Sequence, residues 1–333
     1  MIKLNPKIYE INVEQEATRT GFGRGLVKAG EENKNIVVLC ADLKESTRVE
    51  DFAKKFPERF VEMGVAEQNM AGVASGMSAM GKIPFMASYA IFSPGRNWEH
   101  IRTTICYNST NVKIVGSHAG LNVGPDGGSH QMLEDIALTR VLPNMTVVVP
   151  CDSLEAEKAT IALAKYQGPA YLRLAREKSP IVTTEESDFK IGKASILVEP
   201  ENPEVVIIAC GLMVYRALLA GRKLEREGIK VSIINNHTIK PLDKNTILEA
   251  VKKTCPVNGG AGAVVTCEEH QIAGGMGSAV AEFLAQAYPV PIEFVGVADR
   301  FGQSGSPAEL MEHYGLGVDD IVEAVKKVLE RKK

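Results

Sequence analysis

Residues 63–88 read MGVAEQNMAGVASGMSAMGKIPFMAS, a helix-like stretch running into an apolar strand. On a helix over Ala66–Met80, a period of 3.6 places Met70, Ala71, Ala74 and Ser78 on the face of Glu67. One carboxylate then lies among small and apolar neighbours, where its charged form is disfavoured. The same residue also starts the helix, where it would complement the positive end of the helix dipole. Both readings rest on the same helix start and both stay open.

The pattern of this stretch recurs outward in both directions. IVVLC, FVEMG, KIPFM, VKIVG, MTVVVP and AYLRL are short apolar runs of the kind buried parallel strands give. Helix-like segments Glu14–Glu32, Ala66–Met80 and Ser153–Lys165 lie between them. This alternation predicts an α/β fold with a doubly wound parallel sheet. KSPIVTTEESDFK at 178–190 is polar and turn-rich, and a second series follows: KASILV, EVVIIACG, KVSIINN, AVVTCEE and IEFVGV. Its helices are expected at Met213–Glu227, Asp243–Lys253, Gly277–Ala287 and Asp319–Arg331. Two doubly wound domains are therefore expected, residues 1–180 and 193–333, joined by a linker over 181–192; the second is the smaller, with a mixed sheet.

At 333 residues and 45% hydrophobic content the chain can bury two cores. Its 38 basic and 41 acidic residues leave a net charge of −3, and its basic residues cluster only at the C-terminal helix end, which argues against nucleic acid or a membrane surface as partner. The N-terminus lacks an apolar signal core and no run approaches a membrane span, so a cytoplasmic protein is expected. The six cysteines include no CxxC, and Cys40, Cys210 and Cys267 each close an apolar run as buried strand-end thiols would, so neither disulfides nor zinc are expected.

In open α/β sheets ligands bind beyond the carboxyl ends of strands. The polar residues there are Asp42 and Ser46 after IVVLC, His118 after VKIVG, Asp126 and His130 on GPDGGSHQ, and Arg176 after AYLRL. Two histidines and an aspartate within thirteen residues could supply proton transfer and hydroxyl recognition. Taken by itself, a PDGG stretch is more often a solvated turn.

EATRTGFG, CADLKES, GVAEQNMAG, SYAIF, GSHAG, GPDGGSHQ, LPNM, LARE and ADRFGQSG occur in this order along nearly the whole chain. The ordered set resembles the C-terminal half of transketolase, a thiamine diphosphate enzyme. The resemblance covers the pyrimidine-binding and C-terminal domains, and no GDG followed by an asparagine-containing Mg²⁺ loop is present. It implies a split enzyme whose partner subunit carries that GDG…N element and binds the diphosphate and Mg²⁺ or Ca²⁺, with α₂β₂ the simplest closed assembly.

The resemblance also implies roles. Glu67 matches the glutamate that hydrogen-bonds the aminopyrimidine N1′ and so promotes deprotonation of thiazolium C2. Tyr89 and Phe92 match aromatics around the aminopyrimidine, with Phe85 and Met86 as further walls, although the family usually has phenylalanine at the position of Tyr89. Asp42 matches an acid near the thiazolium. Arg19, Ser46, His118 and Arg176 match binders of the sugar phosphate, Asp126 an acid that recognises a substrate hydroxyl, and His130 a histidine near the reacting carbonyl. The reaction implied is transfer of a two-carbon ketol unit from a ketose phosphate to an aldose phosphate.

The stretch EEHQIAGGMGSAVAEF at 268–283 is closer to deoxyxylulose-phosphate synthase and to 2-oxo-acid dehydrogenase β subunits. His118, where the synthase has arginine, and the DGGSHQ loop, which the β subunits lack, favour transketolase. A noncatalytic binding subunit on the same fold is the alternative from another class. Glycines before the Gly277 helix suggest either an anion site or a close helix–strand contact, and the contact is the expected use.

Overall fold

The computed structural model describes residues 2–255 and 262–332. Its strands run β1 (Gln15–Ala17), β2 (Ile36–Cys40), β3 (Phe60–Glu62), β4 (Ile83–Tyr89), β5 (Lys113–Ser117), β6 (Thr146–Val148), β7 (Ala170–Arg173) and β8 (Lys178–Pro180), then β9 (Ser195–Val198), β10 (Val205–Ala209), β11 (Val231–Asn235), β12 (Thr238–Lys240), β13 (Val264–Gln271) and β14 (Ile292–Val297). The chain has an α/β fold built on two large sheets.

The first sheet has the order β12-β6-β7-β5-β4-β2-β3 and is parallel throughout except for β12, which pairs antiparallel with β6. Its central strands are buried on both faces, which is why they read as unbroken apolar runs. One face packs Phe85, Val38 and Leu172 against Phe22 and Leu26 of helix Thr18–Glu32 and Leu163 of helix Ser153–Lys165. The other packs Leu39, Met86 and Ile114 against Met70, Ala71 and Ala74 of helix Glu67–Ala79 and Ile101 and Ile105 of a π-helical turn. The second sheet has the order β14-β13-β10-β11-β9, with β9 antiparallel at the edge. Ile208, Ile234 and Val280 of this half belong to the same cluster as Met86 and Val147, so apolar packing is continuous between the two sheets.

Three expectations change. The helix expected from Glu14 starts at Thr18, because Gln15–Ala17 pairs antiparallel with Lys178–Pro180 as a separate ribbon. The polar stretch after Pro180 is partly buried: the Asp152 carboxylate, which caps helix Ser153–Lys165, also accepts the N–H groups of Val182 and Thr183 at 2.8 and 2.6 Å. Cys40 ends its strand, but Cys267 sits mid-strand in β13, which continues through buried Glu268, Glu269 and His270 to Gln271. All six cysteines are free. No helix among the described residues is long and apolar enough to cross a membrane.

Candidate active site

Helix Glu67–Ala79 begins directly at Glu67, whose side chain is 95% buried while placed in the first turn. Burial and helix-dipole complementarity, separate readings in the sequence, therefore coincide. Met70, Ala71 and Ala74 are buried beside it, whereas Ser78 is half-buried and its hydroxyl accepts the N–H of Asn111. Asn97, fully buried, donates to the Glu67 carbonyl at 3.0 Å. Among the described residues the carboxylate meets one cation, the Arg96 guanidinium at 3.4 Å, which also lies 4.3 Å over the Phe92 ring.

From Phe92 an aromatic series runs along the carboxyl edge of the first sheet. Phe92 stacks on Tyr89 with centroids 5.9 Å apart, Tyr89 stacks on His118 at 3.8 Å, and His130 meets Phe92 edge-on at 5.7 Å. Tyr89 is the last residue of β4 and His118 follows the last residue of β5, so parallel pairing of these strands brings them together. His118 adopts φ of +57°, a left-handed conformation sparsely used by non-glycine residues and common where a site overrides local preference. Burial, with the charges of Arg19, Arg176 and Arg48, pushes its pKa down to about 3, so the ring is neutral. Arg19 can only donate, so its contact with His118 Nε2 at 3.5 Å makes Nε2 the acceptor and leaves Nδ1–H to donate to Ser117 Oγ at 2.9 Å.

Arg19 donates to the carbonyls of Arg176 at 3.1 Å and Ser46 at 2.8 Å, tying the first helix to two strand-end loops. Burial and then the nearby Arg48 lower its pKa. Arg176 donates from Nη1 to the Val123 carbonyl at 2.5 Å, and its own N–H is held by Asn122 Oδ1 at 2.7 Å. Among the described residues, Arg19 and Arg48 have no carboxylate within ion-pair distance, and Arg176 has only Glu177 at 3.8 Å. Three guanidiniums with little compensating charge around a neutral imidazole are chemically suited to an anion.

The structure thus gathers Glu67, Phe92, Tyr89, His118, His130, Arg19, Ser46 and Arg176 along one sheet edge. Asp42 and Asp126 lie exposed on the same rim; Asp42 has φ of +57°, and its N–H and that of Gly64 both bond to the Glu62 carboxylate, at 2.7 and 3.0 Å. Phe85 and Met86 are not with them. Both are fully buried inside β4, Phe85 against Phe22 and Leu26, because they lie four and three residues short of the strand end, respectively. They support the sheet and do not line the site. Arg48, Arg96 and Asn122 were not singled out by the sequence. Arg48 had one signal, its place two residues beyond Ser46 on a strand-end loop.

In the second half, Glu268 occupies the start of helix Met276–Ala287, its carboxylate accepting the N–H groups of Met276 and Gly277 at 2.6 and 2.8 Å. A Cβ on Gly277 would fall 2.5 Å from Thr266 Oγ1 and 2.9 Å from Phe294. The glycines therefore serve the close helix–strand contact that was expected, and the anion position at the helix start is filled by the chain's own carboxylate.

The transketolase pyrimidine-binding domain matches residues 14–181, and the transketolase C-terminal domain matches residues 192–321. The chain belongs to the transketolase family. A Methanocaldococcus jannaschii protein provisionally named a transketolase C-terminal section is 44% identical over 95% of this chain and 96% of its own length. The 6-deoxy-6-sulfo-D-fructose transketolase subunit SqwH of Clostridium sp. strain MSTE9 is 39% identical over 97% of this chain and 98% of its own. A solved structure described as a split gene transketolase, inactive beta4 tetramer, superposes with a TM-score of 0.87 at 47% identity, covering 95% of this chain and 99% of that one.

Membership of the transketolase family implies use of thiamine diphosphate. The residues fit one half of that group: a buried carboxylate with few internal partners can share a proton with a ring nitrogen, beside the half-buried faces of Phe92 and Tyr89. No group of three or more His, Cys, Asp or Glu side chains that could hold a metal ion occurs among the described residues.

Proposed function

We propose that the chain is the C-terminal subunit of a split, thiamine diphosphate-dependent transketolase, moving a two-carbon ketol unit from a ketose phosphate to an aldose phosphate. The observation that carries this reading is Glu67, a buried carboxylate next to aromatic faces and on the same edge as the arginine cluster. The cofactor, when bound, supplies the carbon–carbon bond chemistry. Glu67 holds and returns a proton at the aminopyrimidine N1′, and Phe92 and Tyr89 keep water from that ring. Asp42, exposed at the same edge, would face the thiazolium side of the cofactor.

Arg19, Arg176, Ser46 and His118 bind the substrate phosphate. The Ser117 hydroxyl can either donate or accept, so if it donates to Nδ1 while Arg19 turns from Nε2 to the anion, the neutral His118 ring can present Nε2–H as well. Asp126 selects a hydroxyl configuration and His130 orients the reacting carbonyl. An N-terminal partner subunit carries the GDG…N element, the diphosphate site and Mg²⁺ or Ca²⁺, and two copies of each form a cytoplasmic α₂β₂ assembly. The domains are residues 1–180 and 193–333, with 181–192 between them. A relative described as an inactive β₄ tetramer supports dependence on the partner.

A sulfonate is a second candidate anion, because it too offers three oxygens to the guanidiniums and a relative is named for a sulfo-sugar. The test is ketol transfer by the chain alone, by the complex with its partner, and by the complex carrying Glu67→Ala, with phosphorylated and sulfonated sugars. The wild-type complex turns over, the chain alone does not, and the variant loses about 10²- to 10⁴-fold at saturating substrate, the usual contribution of a positioned proton-transfer group. Unchanged turnover in the variant would overturn the assignment.

A further inference from the structure

We propose that Glu269 is a positioning residue for the anion-binding arm, acting across the two halves of the chain through Asn122 on the backbone of Arg176. This rests on the reading that Arg176 binds the substrate phosphate.

Glu269 and Asn122 are each 3% exposed. Glu269 Oε1 accepts the Asn122 backbone N–H at 2.6 Å, and the Asn122 amide group donates to Oε1 and Oε2 at 3.1 and 3.2 Å and to the Ala119 carbonyl at 2.6 Å. With its nitrogen so engaged, the Asn122 side chain has one orientation. Its Oδ1 then accepts the N–H of Arg176 at 2.7 Å and of Glu177 at 3.3 Å. The Arg176 guanidinium bonds to the carbonyl of Val123, the residue after Asn122, so both ends of the arginine are fixed to one short segment.

Glu269 is itself held at its backbone, where Arg173 Nη2 donates to its carbonyl at 2.9 Å. The carboxylate also occupies the space a side chain at position 120 would need: Gly120 has φ of +89°, and a Cβ there would lie 2.5 Å from Glu269 Oε1. His118 lies two residues before Gly120, so the same clamp fixes the segment that carries it. A second tie, Gln131 Nε2 to the Gln303 carbonyl at 3.0 Å and the Gly124 carbonyl at 3.1 Å, anchors the neighbouring loop of Asp126 and His130 to the second half as well. A buried carboxylate is costly where an apolar contact would serve, and here every one of its bonds sets a direction.

The test uses the complex with its partner and compares the Michaelis constants of a ketose phosphate and the same ketose without phosphate. Arg176→Ala is the benchmark. Asn122→Ala should raise KM for the phosphorylated sugar about tenfold, with a change under about twofold for the unphosphorylated one, the pattern of lost phosphate positioning. Glu269→Gln, which preserves shape and fold, should move the same ratio in the same direction, and the double variant should add little to Asn122→Ala because both act through one link. If Arg176→Ala shifts the ratio while Asn122→Ala and Glu269→Gln do not, or if these two depress both substrates equally, the positioning role is overturned and the phosphate role stands. If Arg176→Ala itself leaves the ratio unchanged, the reading of the anion site fails first.

Discussion

Replacing Arg173 with methionine removes the charge at the centre of the contact between the two halves. Arg173 is fully enclosed: Nε donates to Asp135 Oδ2 at 2.8 Å, and Nη2 donates to the carbonyls of Glu269 at 2.9 Å and Met132 at 3.4 Å. Burial pulls its pKa down, but the Asp135 and Glu269 carboxylates more than reverse this and hold it above the ordinary arginine value. Without the guanidinium, Asp135 keeps the Tyr171 hydroxyl at 2.6 Å as a donor, and its Oδ1 already lacks a hydrogen-bond partner among the described residues. Removing one partner of a buried pair costs about 3–5 kcal/mol. The orphaned Glu269 carbonyl adds on the order of 1 kcal/mol, and methionine refills most of the aliphatic volume. The expected loss is about 4–6 kcal/mol, read from urea unfolding at pH 7 as a lower midpoint. Asp135→Leu in the same background should recover at least about 2 kcal/mol, since the stranded charge is then gone. A loss below about 1 kcal/mol, or strictly additive behaviour in the double variant, would refute the view that Asp135 holds Arg173 as a structural anchor for the Glu269 carbonyl of the second half.

Burial pushes the Glu268 carboxyl up to about 7, against the two helix N–H groups that favour its charged form. Its folded pKa lies above the unfolded one, so its contribution to stability is full below about pH 4.5 and is lost as pH rises through 7, by about 3 kcal/mol. Glu268→Gln should flatten the pH dependence of the unfolding free energy over that window, and an unchanged slope counts against the shift. His118 behaves oppositely: its folded pKa of about 3 lies below the ordinary value of 6.5, so it favours the folded state above pH 6.5 and ceases to do so as pH falls to 3. The His118 ring should accordingly stay neutral from pH 5 to 8 in an NMR titration, and a midpoint near 6.5 would contradict its burial among arginines. Gly120→Ala should destabilise the fold by more than about 1 kcal/mol, from a left-handed backbone and a Cβ forced against the Glu269 carboxylate; calorimetry showing no change would mean the segment yields freely.

Most strands of both sheets were legible because strands covered by helices on both faces are near-continuous apolar runs, as IVVLC and VVIIA are. Gln15–Ala17, Lys178–Pro180 and Thr238–Lys240 were not legible. Each is three residues of mostly polar sequence whose pairing is decided by distant partners, and Thr238–Lys240 crosses from the second half to finish the first sheet. The strand-end rule, that residues just past parallel strands face the ligand edge, placed His118 and Arg176, while Tyr89 came from the family resemblance. The resemblance also suggested Phe85 as a wall, but it lies four residues before the end of its strand and is buried in the sheet packing. Arg48 looks like any solvated arginine until Arg19 and His118 fold beside it.

The deepest gap concerns the polar residues that join the two halves. AVVTC ends in sequence where charge begins, yet β13 continues through Glu268, Glu269 and His270, all buried. Each can remain in a strand because its partner arrives from elsewhere: Glu268 meets the backbone of the following helix, Glu269 meets Asn122 from 147 residues away, and His270 Nε2 accepts the Ile136 N–H from 134 residues away. A charge that reads as a strand end in one dimension is, in three, the point at which the second half grips the loop bearing His118. Local pattern could point to the proposed anion site on the first half, and only the assembled fold brings residues of the second half up against it.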